Sequence, residues 1–246
     1  MANPAEIRKL RGATWPVQRS LDKIPVLAPL PDPVRRELEK RCVWKEYKND
    51  EQIIDRESEN RDVYFVVGGS VRIVNYSYSG REVSYDDIRA GGMFGELGAI
   101  DGKPRSASVV ALRRCLVAVL PAETFKKVLR EHPEFAFAVI ERLAAIIRAS
   151  NERIMDLSTL GAYTRVYGEV LRLARTYAKD DEADSSVIDP LPVHSDLAAR
   201  CGTTRETVAR AVSDLIKKGV AEKAGSGLKI ADLWALKDIV EGGDSD

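Results

Sequence analysis

The pattern of apolar and polar positions divides the chain into a β-rich part and a helical part. Between Val43 and Leu120, turn residues separate short β-rich runs, which are VYFVV, VRIVNYSY, EVSYDDI, ASVVAL and CLVAVL. Runs of this length between turn signals are typical of antiparallel strands. This part is therefore predicted to form an antiparallel β-roll, of the jelly-roll or double-stranded β-helix type, within a chain of the α+β class.

A long amphipathic helix is predicted from Phe135 to Leu160. Its seam has positions spaced alternately by three and four residues, namely Ile140, Leu143, Ile147, Ser150, Ile154 and Leu157. This heptad spacing indicates a parallel homodimer helix, with a helix packed only on its own domain as the alternative. Because a hydroxyl in an apolar seam needs a partner, we expect the dimer or a ligand to satisfy Ser150.

Residues 193–215 are predicted to form two short helices joined by a turn that contains Gly202. Ser195 is placed to cap the first helix, and Thr203 with Glu206 fits a capping box for the second. This arrangement is typical of a helix-turn-helix. The following GVAEKAGSGLKI predicts a β hairpin and DLWALKDIV a closing helix, which together make a winged helix-turn-helix.

The second short helix has one polar face. Arg205, Glu206 and Arg210 fall within an arc of about 140°, and the opposite side carries Val208, Ala211, Val212 and Leu215. Arginine can pair with guanine and glutamate with cytosine in the major groove, and Thr204 can position a phosphate. The alternative is that Glu206 only completes a cap and the arginines are solvated. Net charge is zero, but residues 191–229 hold seven basic and four acidic side chains, which favours DNA binding there.

The segment MFGELGAIDGKPRSASVVA, residues 93–111, is predicted to be a short loop that combines glycines with Glu96 and Arg105. Glycine amides, the Arg105 fork and the Ser106 hydroxyl suit a phosphate. Glu96 would repel a phosphate but can accept a hydrogen bond from a sugar hydroxyl. The pair therefore predicts a ribose and a phosphate at opposite ends of one pocket. A structural salt bridge in a roll without this ligand is the alternative.

GELGAIDGKPRSAS resembles the phosphate-binding cassette of cyclic-nucleotide-binding domains, and TTRETVARAVSDL resembles the recognition helix of the cyclic-AMP receptor protein (CRP/FNR) family of transcription regulators. The resemblance covers roughly residues 30–235 and includes the order of cassette, long helix and winged helix-turn-helix. It implies that Glu96 binds the ribose 2′-hydroxyl and that Ser150 and Asn151 contact the adenine. It also implies that the cyclic phosphate is held around Gly95, Leu97, Arg105 and Ser106.

The same resemblance places Arg205, Glu206 and Arg210 at three base-reading positions. It implies a homodimer on palindromic, TGTGA-like double-stranded DNA, with RNA polymerase as a further partner. Its predicted domains are an N-terminal extension (1–27), a cyclic-nucleotide-binding β-roll (28–134), a dimerisation helix (135–160) and a winged helix-turn-helix (161–246).

Composition and residue spacing argue against a membrane protein, a metal-binding protein and an enzyme. No apolar run approaches the roughly 20 residues of a membrane span, and the start lacks a signal peptide, which predicts a cytoplasmic protein with no membrane contact. Cys42, Cys115 and Cys201 are expected to be reduced thiols, and no cluster suggests a metal, haem or iron–sulfur cofactor. Without a second acid or a nucleophile beside Glu96, no enzymatic activity is predicted; a phosphodiesterase or phosphotransferase is the alternative.

The identity of the effector is open at the level of side-chain chemistry. Ser106 can donate to a phosphate or to guanine, and Asn151 has donor and acceptor atoms, so cyclic AMP and cyclic GMP both fit. The resemblance favours cyclic AMP. The alternatives are a cyclic-GMP-responsive regulator, a constitutive DNA binder with a vestigial pocket, and a nucleotide-sensing module that acts on a protein partner.

Overall fold

The computed structural model describes residues 17–77, 82–178, 180 and 182–242. Residues 1–16 of the predicted N-terminal extension lie outside these ranges. The chain forms two compact units, of which the first extends to Ile73 and resumes over Asp86–Ile140. The second comprises Val74–Tyr85 and the chain from Glu141 onward.

The β-rich part of the chain confirms the predicted antiparallel β-roll. Its two four-stranded sheets have the orders β1-β8-β3-β6 and β2-β7-β4-β5. The strands are β1 (Val43–Tyr47), β2 (Gln52–Ile54), β3 (Val63–Gly68), β4 (Ser70–Tyr76), β5 (Glu82–Arg89), β6 (Met93–Phe94), β7 (Ser108–Ala111) and β8 (Cys115–Leu120). The helices are a 3₁₀ turn (Pro25–Leu27), α1 (Asp32–Arg41), α2 (Glu96–Asp101), α3 (Ala122–Glu131) and the first residues of α4 (Pro133–Thr159).

Apolar side chains from both sheets fill the roll. Val66, Val71, Ile88, Phe94 and Val117 belong to one buried cluster. Strand β8 pairs with β1 on one side and with β3 on the other. It is buried at all six positions, as expected for a continuous apolar run that lies inside a sheet.

The segment before α1 packs into the first unit although its sequence shows no clean periodicity. Leu21, Ile24, Leu27 and Leu30 are almost completely buried, and the Leu21 amide donates to Glu39 at 3.0 Å. The spacing of three follows a chain of turns and a 3₁₀ helix, which pattern analysis at the α-helical period does not detect.

The second unit confirms the predicted winged helix-turn-helix. Its sheet has the order β10-β11-β9, and β9 was not predicted because it lies beside the acidic, turn-like KDDEADSS. The elements after α4 are α5 (Ala162–Tyr177), β9 (Ser186–Ile188), α6 (His194–Cys201), α7 (Arg205–Lys217), β10 (Ala221–Ala224), β11 (Gly227–Ile230) and α8 (Leu233–Glu241). Val170, Leu197, Val208, Leu215 and Leu236 lie in its buried core.

Arg72 and Asp87 join β4 to β5 through a buried ion pair. The Arg72 Nε lies 2.7 Å from Asp87 Oδ1, and its Nη2 lies 3.0 Å from Oδ2. Arg72 is 4% exposed. A buried guanidinium that loses its carboxylate partner keeps its desolvation cost without the compensating attraction.

We expect Asp87→Ala to lower the free energy of unfolding by about 3 kcal/mol, measured by urea denaturation followed by circular dichroism. Asp86→Ala is the matched control because it removes the same charge from the neighbouring exposed position of β5. It should change stability by no more than about 0.5 kcal/mol. Equal losses in the two variants would contradict the role of the ion pair.

Candidate functional site

Gly95 shapes the start of the cassette. It precedes α2 in the left-handed region with a φ of 82°. A Cβ at this position would lie 2.8 Å from Arg105 Nη1 and 2.9 Å from the Asp62 carbonyl oxygen. Glycine is therefore required both by the backbone angle and by the close approach of the arginine. The predicted loop is in part a helix, since α2 occupies Glu96–Asp101.

The Arg105 guanidinium is held by three oxygen atoms of the first unit. Its Nη1 donates to the Gly95 carbonyl at 2.8 Å, and its Nη2 donates to Asn60 Oδ1 and the Asp62 carbonyl, both at 2.8 Å. It also lies over the Tyr64 ring, 5.6 Å from the centroid, at cation–π distance. These contacts fix the plane of the guanidinium.

Arg105 is 6% exposed, and its buried Nε has no hydrogen-bond partner among the described residues. Burial lowers the pKa of Arg105, while Tyr64, Asp62 and Glu96 act in the opposite direction. A buried cation with an unused donor fits an anionic group such as a phosphate, because charge-assisted hydrogen bonds are strong where water is excluded.

The structure brings Gly95, Glu96 and Arg105 into one region. Glu96 is buried at the first position of α2, whereas the side chains of Leu97 and Ser106 are exposed. Asn60 and Asp62 were missed by sequence reasoning. They precede β3, more than 40 residues before the arginine that they bind, and no local pattern signals such a contact.

Ser150 and Asn151 lie in the second unit, on α4, and both are exposed. The expectation that a dimer or a ligand must satisfy the Ser150 hydroxyl was wrong. Its Oγ donates to the Ile146 carbonyl of the preceding turn at 2.8 Å, a local bond that serine forms readily inside helices. The role of both residues toward a base stays a prediction.

The predicted seam of α4 is largely exposed in the single chain. Ile140, Ile147 and Ile154 are 58%, 60% and 62% exposed. A helix packed only on its own domain would bury these positions. An apolar stripe of this kind is typical of a surface that another protein chain covers.

The start of α7 is capped differently from the prediction. Thr204, not Thr203, is the N-cap residue, and its hydroxyl accepts from the Thr207 amide at 3.2 Å. Thr203 is instead buried, and its amide donates to the Ala198 carbonyl at 3.0 Å. The predicted Ser195 cap was also wrong, because α6 begins at His194 and Val193 occupies its N-cap position.

The division of α7 into two faces is confirmed. Val208, Ala211, Val212 and Leu215 are buried, and Arg205, Glu206 and Arg210 are exposed. Hydrogen bonds from its own backbone amide and from the Thr204 hydroxyl lower the pKa of Glu206. Glu206 is therefore a carboxylate acceptor at neutral pH, flanked by two arginines that can donate.

The three cysteines are buried, protonated thiols. Cys42, Cys115 and Cys201 are buried and form no disulfide, and burial raises their pKa values to about 12, 11 and 12. Within the described ranges no group of three His, Cys, Asp or Glu side chains is arranged to hold a metal ion. No helix of the described chain is long and apolar enough to span a membrane.

Two family models match the chain. The cyclic nucleotide-binding domain matches residues 44–132 and the Crp-like helix-turn-helix domain matches residues 164–239. These matches contain the cassette and the two faces of α7, respectively. They leave the whole of α4 unmatched, since it lies between them.

Relatives of similar length support both matches. The chain is 29% identical to the cyclic AMP receptor protein of Thermus thermophilus, over 73% of this chain and 80% of that protein. It is 25% identical to a CRP-like cAMP-activated global transcriptional regulator of Mycobacterium tuberculosis, over 69% and 75%. The solved c-di-GMP responsive global regulator CLP of Xanthomonas campestris shares the fold, with a TM-score of 0.69, 17% identity and coverage of 81% and 99%.

Thr204→Ala should lower the free energy of unfolding by about 1 kcal/mol, because it removes the acceptor of the Thr207 amide. Ser195→Ala is the control, since the structure assigns no capping bond to the exposed Ser195. Urea denaturation of both variants checks the assignment. A larger loss for Ser195→Ala than for Thr204→Ala would restore the original capping prediction.

Proposed function

Because the chain belongs to the CRP/FNR family of transcription regulators, we propose that it binds cyclic AMP in its β-roll and thereby controls binding to palindromic TGTGA-like DNA as a homodimer. The family models establish a cyclic-nucleotide-binding regulator with a DNA-binding domain. The observation that carries the proposal is the buried Arg105 guanidinium, whose Nε has no hydrogen-bond partner among the described residues, with the buried carboxylate of Glu96 in the same region.

The chemistry of the cassette supports a cyclic nucleotide. Arg105 supplies a fixed positive charge for the cyclic phosphate, and the Ser106 hydroxyl supplies a further donor. Glu96 supplies an acceptor for the ribose 2′-hydroxyl. Neither side chain is asked to break a bond, so their proposed task is to bind and orient.

Cyclic AMP is proposed because the two curated relatives are named for it. The fold alone does not select the effector, since the Xanthomonas regulator with this fold is described as responsive to c-di-GMP. Ser150 and Asn151 are proposed to contact the adenine from the two subunits. Cyclic GMP stays the alternative, because the donor and acceptor atoms of Asn151 also fit guanine.

The exposed stripe on α4 supports the homodimer. Burying Ile140, Ile147 and Ile154 against a second copy removes three β-branched apolar side chains from water, which favours association. A symmetric pair of subunits also presents two α7 helices. Two such helices match a palindrome whose half-sites lie about one DNA turn apart.

The proposed mechanism is a shift between conformations in the cytoplasm. Cyclic AMP binds more tightly to the arrangement in which both α7 helices fit the major groove, and the correct DNA then tightens nucleotide binding by reciprocity. Arg205 and Arg210 are proposed to read guanine, and Glu206 to accept from cytosine. Thr204 positions a phosphate, and RNA polymerase is the proposed further partner of the bound dimer.

The test combines calorimetry with a DNA-binding assay. The purified chain should bind cyclic AMP more tightly than cyclic GMP, and cyclic AMP should raise its affinity for a TGTGA palindrome over a scrambled duplex. Equal DNA affinity with and without cyclic AMP would contradict the switch. Tighter binding of cyclic GMP would identify cyclic GMP, and not cyclic AMP, as the effector. DNA binding with no nucleotide binding would support a constitutive regulator.

Arg105→Leu is expected to abolish the response of DNA binding to cyclic AMP. The variant loses the fixed charge proposed to hold the phosphate, so calorimetry should show at least a hundredfold loss of nucleotide affinity, about 3 kcal/mol or more. Arg113→Leu makes the same change at an exposed position between β7 and β8 and should keep the full response. Wild-type nucleotide affinity in Arg105→Leu would remove the basis of the proposed site.

Arg210→Ala is expected to spare cyclic AMP binding and to weaken specific DNA binding by roughly tenfold, since a good base contact contributes about 1–3 kcal/mol. Arg175→Ala is the control because it removes the same charge from an exposed position of α5. Titration of the palindrome and the scrambled duplex at one salt concentration measures the effect. Equal losses for both duplexes would indicate a phosphate contact rather than base reading.

A further inference from the structure

The carboxyl end of α6 is capped by side chains from other helices. A helix leaves its last carbonyl groups without intrahelical partners. The Gly202 and Thr203 amides both donate to the Ala198 carbonyl. The following three carbonyls, those of Ala199, Arg200 and Cys201, accept from arginine side chains of α4 and α5.

Arg153 of α4 contacts two other elements of the structure. Its Nη2 lies 2.9 Å from the Arg200 carbonyl oxygen and 3.3 Å from that of Ala199. Its Nη1 donates to the Tyr85 carbonyl of β5 at 3.2 Å. One guanidinium thus joins residues of the long helix, of β5 and of the first helix of the helix-turn-helix, and all the residues in contact belong to the second unit.

The contact is reinforced one helical turn later. Leu157 Cδ2 would lie 2.9 Å from a Cβ at Gly202, whose φ of 61° already requires glycine. Arg165 adds a bond from its Nε to the Cys201 carbonyl at 2.9 Å. A positive charge at this end also interacts favourably with the partial negative charge of the helix terminus.

Arg153 is also close in sequence to the proposed effector contacts. It follows Asn151 by two positions on the same continuous helix. While its bonds to α6 are formed, the side chains of Arg205, Glu206 and Arg210 on α7 are exposed. The arrangement that Arg153 holds is therefore one in which the face proposed to read DNA is open.

We infer that Arg153 is a positioning residue that fastens the helix-turn-helix to the long helix in the DNA-binding arrangement. This inference rests on the proposed function. In a ligand-dependent switch the DNA-binding arrangement is the minor population without nucleotide, so any loss of its stability reduces the affinities for DNA and for nucleotide by the same factor. Arg153 touches neither partner in this account and acts through α6.

The test compares Arg153→Met with Arg148→Met, which removes an exposed arginine from the same helix. Without nucleotide, Arg153→Met should bind the TGTGA palindrome about tenfold more weakly than wild type, as expected for the loss of charge-assisted hydrogen bonds. Its affinity for cyclic AMP in calorimetry should fall by the same factor. Arg148→Met should stay within about twofold on both measures, which is the scale of a neutral surface change.

Arg153→Lys keeps the positive charge but not the planar fork that reaches several carbonyl groups at once. It should therefore give intermediate values on both measures, which separates positioning from a folding defect. Unchanged affinities in Arg153→Met would overturn the inference, and so would tighter DNA binding without nucleotide. Loss of DNA binding with wild-type affinity for cyclic AMP would overturn it too, since the linkage would be absent. If cyclic AMP neither binds the wild-type chain nor changes its affinity for DNA, the proposed function is refuted. The DNA affinities of Arg153→Met and Arg148→Met would still decide the role of Arg153.

Discussion

The first unit contains a buried positive charge, the Arg105 guanidinium, and its structure must compensate the loss of hydration of that charge. Removing the Arg105 guanidinium from solvent is costly unless oxygen atoms replace its hydration. The Gly95 carbonyl, Asn60 and the Asp62 carbonyl do so, and each comes from a segment that must be in place for the bond to form. The start of β3, the turn into α2 and the chain after α2 are therefore held together by the side chain that is proposed to receive the phosphate. The contacts that stabilise this part of the roll are thus the same ones that position the proposed anion site.

Capping plays the corresponding part in the second unit. Carbonyl groups at the end of α6 face side chains from α4 and α5 instead of its own residues. A helix capped from outside takes its orientation from the elements that cap it. The exposed face of α7 is thus oriented in part through the glycine turn that follows α6, and in part by the packing of its buried face in the core of the second unit. The side chains of α7 determine what it can bind, whereas residues of other helices contribute to how it is oriented.

Periodicity was sufficient to predict the roll, the long helix and the two faces of α7, because each follows from a repeating choice between core and solvent. It was insufficient wherever a contact joins residues distant in sequence. Asn60 and Asp62 bind Arg105, and Arg153 binds α6, without any local pattern. The caps failed for another reason: Thr203 and Thr204 are chemically equivalent donors and acceptors, and only the position of the preceding turn decides which one is buried. Likewise Ser150 found its partner in its own helix, an option that the seam pattern does not reveal.

The isoleucines of α4 connect regulation with the amount of protein. A solitary subunit leaves Ile140, Ile147 and Ile154 about three-fifths exposed, and in the proposed dimer their burial follows mass action. The same helix carries Asn151 and Arg153. At concentrations below the dissociation constant of the proposed dimer, the chain would exist mainly as single subunits. Copy number would then act beside the nucleotide as a second input to the same conformational balance.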